Sequence, residues 1–92
     1  MNIDEAKSLV LKELSKDESL NLMILEDETI EKSWGWVFFY QTKEYVETGD
    51  FRFMLGGNAP YIVNRNTGQI TETGTAYEIE HYIAEYEQDL KV

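Results

Sequence analysis

The sequence predicts an α+β domain, with an antiparallel sheet of about four strands and an N-terminal and a C-terminal helix packed on one face. Three observations lead there. Apolar residues recur at helical spacing at both ends of the chain, aromatic and β-branched runs of strand length fill the middle, and a glycine-bearing turn joins two of those runs as a hairpin. Strands joined by hairpins run antiparallel, and helices that flank the strands rather than alternate with them give α+β. The 92 residues fit a single domain, 1–92, with material for one core.

The first helix is expected at about 2–16. Ile3, Ala6, Val10 and Leu14 form its stripe, widened by Leu9, and Asn2 or Asp4 caps its start. Asp17, Glu18 and Ser19 break the pattern. Leu20 to Leu25 reads as a short strand with Leu20, Leu22 and Ile24 on one face, and the acids at 26–28 form its turn. Ser33 to Gln41 is the most strand-like stretch. Trp34, Trp36, Phe38 and Tyr40 would share one face, with Gly35, Val37, Phe39 and Gln41 on the other. Two largely apolar faces make it a central strand. Residues 42–60 read as irregular, with a turn at Glu47-Thr48-Gly49-Asp50. Strands at Tyr61–Asn64 and Gln69–Thr73 follow, joined through Asn66-Thr67-Gly68. Thr75-Ala76-Tyr77-Glu78 matches a capping box and opens the last helix, whose stripe is Ile79, Tyr82, Ile83, Tyr86 and Leu90.

Composition narrows the function. Eighteen acids against eight basic residues give a net charge of -10. Such a surface repels phosphate backbones and anionic membranes and attracts basic partners. The chain has no cysteine, which removes disulfides, thiolate metal sites and a cysteine nucleophile. The start, Met1-Asn2-Ile3-Asp4-Glu5, is acidic and unlike a secretory leader, so a cytoplasmic setting is expected.

Reactive chemistry finds little support. His81 is the only histidine and sits among acids in the last helix. Acid clusters at 26–28 and at Glu44, Glu47 and Asp50 fall in turns, where nothing raises a carboxyl pKa as acid catalysis requires. Asn64 to Gly68 lacks the acids and the glycine position of a calcium loop. Gly56-Gly57-Asn58-Ala59-Pro60 lacks the lysine of a phosphate cradle. Its glycines are expected to serve positive φ or close backbone approach, Asn58 to bond neighbouring backbone, and Pro60 to fix the start of the next strand. No catalytic residue, metal or cofactor is expected. Trp34, Trp36, Tyr40, Tyr45, Tyr61 and Tyr77 are of the types that anchor protein interfaces.

Three stretches together resemble a known family. They are Trp34 to Tyr40, including Gly35 and Trp36; then Glu47-Thr48-Gly49-Asp50 with Leu55-Gly56-Gly57-Asn58-Ala59-Pro60; then Gly68 followed by Thr73-Gly74-Thr75-Ala76. In this order and spacing they resemble the YrhB-like domain, a class of immunity proteins of bacterial polymorphic toxin systems. The resemblance covers about Ile3 to Asp89. It implies a small cytoplasmic α+β protein without catalytic residues, which neutralises a cognate toxin by direct binding. For the YrhB branch it implies chaperone-like binding instead. Partner contact is expected at Glu44, Glu47 and Asp50, with Trp34 and Tyr45 as anchors. Trp36, Gly49, Gly56, Gly57, Asn58, Pro60, Gly68, Gly74 and Thr75 are carried over as determinants of the fold.

Overall fold

The computed structural model describes residues 1–16, 21–56 and 58–90. Helix α1 spans Ile3–Leu14 and buries Ala6, Val10 and Leu14 on one stripe. Asn2 caps it: its side chain accepts from the Glu5 amide at 2.9 Å, and the Glu5 carboxylate accepts from the Asn2 amide at 3.2 Å. The expected break at 17–19, and Leu20 with it, lies outside the described residues. Strand β1 is Leu22–Ile24, followed by a 3₁₀ turn at Glu26–Glu28 and strand β2 at Ile30–Lys32. That second strand was not expected, because its centre, Glu31, is a charged residue.

The long strand expected at 33–41 is broken. Strand β3 spans Gly35–Phe38 and strand β4 spans Tyr40–Thr42, with Phe39 at the joint. The partner segment explains the break. Ile30 lies opposite Val37, but Ile24 lies opposite Tyr40, so the register slips by three residues between the two pairings. The 3₁₀ turn takes up those three residues, and β1–β4 becomes a two-stranded extension of the main sheet. The Leu25 amide donates to the Phe39 carbonyl at 2.8 Å and closes the joint.

Strand β5 (Tyr61–Asn64) and strand β6 (Ile70–Glu72) complete a four-stranded antiparallel sheet in the order β2-β3-β5-β6. Their hairpin turns as expected. Asn64 Oδ1 accepts from the Asn66 and Thr67 amides, and Gly68 adopts φ +72°. Pro60 stands immediately before β5, and its carbonyl accepts from the Thr73 amide and hydroxyl at 3.0 and 2.7 Å.

Helix α3 spans Ile79–Leu90, so Thr75 lies outside it and the expected capping box does not close. A tyrosine from the helix's own first turns replaces it. The Tyr82 hydroxyl accepts from the Ala76 and Tyr77 amides at 3.0 and 3.2 Å.

The α+β class holds, but the two terminal helices lie on opposite faces of the sheet. The alternation of β3 and β5 shows this. Trp36, Phe38 and Val63 pack with Ala6, Val10 and Leu14 of α1. Val37 and Ile62, their sequence neighbours, pack with Ile83, Ile79 and Tyr86 of α3. Trp36 pairs with Val63 and Val37 with Ile62 across the strands, so each pair serves one core. The sheet is therefore the middle layer of three.

Gly35 redirects the chain at the start of β3. Its φ is +154°, and a Cβ there would lie 1.9 Å from the Val63 carbonyl oxygen. Across this point the alternation resets. Trp34 joins the α3 side and does not share a face with Trp36, Phe38 and Tyr40 as expected. Its ring lies 4.6 Å from that of Tyr86, and its Nε1 donates to Glu87 at 3.0 Å.

Candidate functional site

The stretch expected to be irregular contains a helix. Thr42 caps α2 (Lys43–Thr48), its hydroxyl accepting from the Tyr45 amide at 3.1 Å, and Gly49 ends it at φ +69°. A threonine cap and a glycine seven residues later are the helix signature that the sequence carries here. A 3₁₀ turn at Phe51–Phe53 follows, capped by Asp50.

Two buried polar side chains of β4 hold the segment after α2 in place. Gln41 uses both ends of its amide on Leu55: Nε2 donates to the carbonyl at 3.1 Å, and Oε1 accepts from the amide at 2.9 Å. The Thr42 hydroxyl donates to the Phe53 carbonyl at 2.6 Å. Gln41 and Thr42 are almost wholly shielded from solvent, so these bonds are made without water competition. The backbone from 53 to 55 is thus pinned inward and its neighbouring side chains are turned out. Phe51 is 77% exposed, Met54 48% and Phe53 44%. Three large apolar residues in solvent within four positions on an anchored backbone call for a covering surface.

Beside this segment lies an open groove of about 710 Å³. Its lining draws on Phe39, Tyr40 and Gln41 of the β3–β4 region, Tyr45 of α2, Met54, Asn58 and Pro60. Gly74, Thr75, Tyr77, Glu78, Ile79 and Glu80 before and at the start of α3, and Leu25 and Glu28 across from them, complete it. The walls are fixed. Asn58 Nδ2 donates to the Tyr40 carbonyl at 2.6 Å, a bond to a distant strand rather than to neighbouring backbone. Gly74 packs so closely on Tyr82 that a Cβ would meet its hydroxyl at 2.6 Å. Tyr77, 64% exposed, lies 4.2 Å from the His81 ring.

The expected contact residues divide. Tyr45 lines the groove and lies 6.1 Å from the Phe51 ring. Glu44 is exposed on α2, and Glu47 approaches Lys43 at 3.9 Å. Asp50 is neutralised locally. The Arg52 guanidinium grips both its oxygens, at 2.6–3.1 Å, and by these hydrogen bonds holds the carboxyl below the usual carboxylate range. Trp34 stands apart at the other end of the 34–42 run, engaged with Tyr86 and Glu87 of α3. Of the residues expected to shape the fold, Gly49 and Gly68 take positive φ. Asn58, Pro60, Gly74 and Thr75 line the groove. Gly56 has neither a positive φ nor a close neighbour, and Gly57 lies outside the described residues. Trp36 is buried under the Arg65 guanidinium, 4.4 Å above its ring. Phe51, Phe53 and Met54 form a surface that was not expected. Their apolar character in a stretch without regular structure was the available signal.

His81 sits within 2.6 Å of Glu85 on the exposed side of α3. Among the described residues, no three histidine or acidic side chains converge to hold a metal.

Comparison with known proteins places these features. The family model described as immunity protein 35 matches residues 4–88. The uncharacterized protein YrhB of Escherichia coli (strain K12) is 44% identical over 55 residues, which cover 60% of this chain and 58% of that protein. The match thus spans less than two thirds of the relative's length. No solved structure matches. With the family pattern running from the first turn of α1 to the last turns of α3, this chain belongs to the immunity protein 35 family.

Proposed function

We propose that this chain is an immunity-type protein that binds a cognate toxin directly in the cytoplasm and blocks it without catalysis. Membership of the immunity protein 35 family supports a protein partner. The single observation that carries the reading is the outward display of Phe51, Phe53 and Met54 on a backbone pinned by Gln41 and Thr42. Exposed aromatics on a rigid frame cost little ordering when they meet a partner. A stable complex covers roughly 800 Å² on each side, about one eighth of the chain's 6119 Å². The 51–54 turn, Tyr45 and the groove beside them form one candidate face of this kind. The net charge of -10 steers a basic toxin toward it.

The test is co-expression with any toxin-like product encoded beside this gene. Growth should be restored, and the two chains should co-purify as a stoichiometric complex. Toxicity that persists despite soluble, folded protein refutes the reading. A chaperone-like role is the rival that the same exposed phenyl rings favour. It predicts suppression of aggregation of unrelated heated clients, insensitive to salt, whereas a charge-steered specific complex weakens as salt rises.

A further inference from the structure

We propose that the groove beside α2 receives an extended segment of the partner bearing a lysine or arginine side chain. This rests on the toxin-binding reading and adds to it the surface and the chemistry recognised.

The lining has two parts that match the two parts of such a side chain. Tyr45 from α2 and Tyr77 from the approach to α3 contribute aromatic rings, with Met54 and Ile79 as aliphatic surface. An alkyl stem packs on such walls, and a cation gains from the faces of the rings. The charged lining is of one sign. Glu28 comes from the 3₁₀ turn, Glu78 stands just before α3 and Glu80 lies in its first turn, and none of the ion pairs among the described residues involves them. No lysine or arginine is among the described lining residues. Among the described residues these three acids thus have no lysine or arginine partner, whereas five other acids have one.

The amide donors of the lining are already engaged. The Asn58 amide nitrogen is committed to Tyr40, and both ends of the Gln41 amide to Leu55. The charge that remains is negative and lies beside aromatic surface, which selects a cation on an apolar stem over an anionic group. The shape is ready beforehand, because the Pro60–Thr73 bonds and the Tyr82 hydroxyl fix the loops on either side. A segment entering it meets little reorganisation.

The experiment is amide NMR on the full chain, titrated with N-acetyl-arginine methylamide, N-acetyl-norleucine methylamide and N-acetyl-glutamate methylamide. Arginine should shift the amides of Tyr45, Asn58, Gly74 and Tyr77 saturably, norleucine at least about tenfold more weakly, and glutamate not at all. A triple Glu28→Gln, Glu78→Gln, Glu80→Gln variant, checked for native circular dichroism, should remove the preference for arginine. Tyr77→Ala should weaken arginine binding with the carboxylates intact. Equal response to arginine and norleucine, or shifts confined to other surfaces, overturns the assignment. With the toxin, the triple variant should lose about 30-fold in affinity. If the wild type binds toxin and the triple variant binds equally well, the groove assignment alone falls. If no toxin is bound while arginine still fills the groove, the toxin-binding reading alone falls.

Discussion

Gly35 and Phe51 show how differently single residues are constrained in this molecule. At Gly35 a Cβ would lie 1.9 Å from the Val63 carbonyl oxygen, a contact that only backbone displacement relieves. Gly35→Ala should therefore cost more than about 4 kcal/mol, enough to threaten a domain whose whole stability is about 5–15 kcal/mol. Denaturant midpoints measure it. Phe51, at 77% exposure, supports almost nothing beyond its contact with Tyr45. Phe51→Ser should leave thermal stability within about 0.5 kcal/mol yet weaken toxin binding by about 2 kcal/mol, roughly 30-fold. Equal losses in both assays would make Phe51 a structural residue after all. The sequence disclosed these two roles unequally. A glycine between two tryptophans reads as one more step in a strand, because strand periodicity carries no information on φ. The face expected for Trp34 fails for that reason.

Among the elements, α2 and the turn after it depend on β4. Thr42 caps the helix and also holds the Phe53 carbonyl. Thr42→Val keeps the shape and removes both bonds, at about 1 kcal/mol for the cap plus the stranded carbonyl. Hydrogen exchange should quicken at the Tyr45 amide, which loses its acceptor, with little change at the β3–β5 ladder. Unchanged exchange at Tyr45 would show that the cap is not what orders α2. Element type was legible where periodicity was long, as in α1 and α3, and where turn chemistry was explicit, as at Asn66-Thr67-Gly68. It failed for α2, a helix of 6 residues too short for a stripe to emerge. The sides of the sheet were not legible at all. Trp36 and Val37 are both apolar, so nothing in the pattern says which helix covers which face.

At the scale of the whole molecule, charge and burial set the response to pH. Burial, with Tyr61 and Glu72 nearby, pushes the Tyr40 phenol up to about 12, and burial and Glu72 raise Tyr61 as well. A phenol raised on folding stabilises the protein fully below its unfolded pKa of about 10, and that contribution is lost as pH climbs through the folded value. Stability should fall between about pH 10 and 12, and Tyr40→Phe should flatten that slope in alkaline denaturation curves. On the acid side, Glu26 is held low by its hydrogen bond to Lys7, as Asp50 is by Arg52. Both pairs stabilise above the ordinary carboxylate range and lose that contribution as pH falls through the lowered values, weakly because they are exposed. The groove belongs to this scale too. Its lining comes from segments between Leu25 and Glu80, and only the folded chain brings them together, so no local motif announces it. The pinning of residues 53 to 55 by Gln41 and Thr42 has one further consequence. Since the strand beneath dictates the path of the chain, the outward side chains at 51, 53 and 54 are spared the task of holding it. Substitutions there are free to alter what the surface meets while the scaffold stays as it is, in the way a key is recut without recasting its bow.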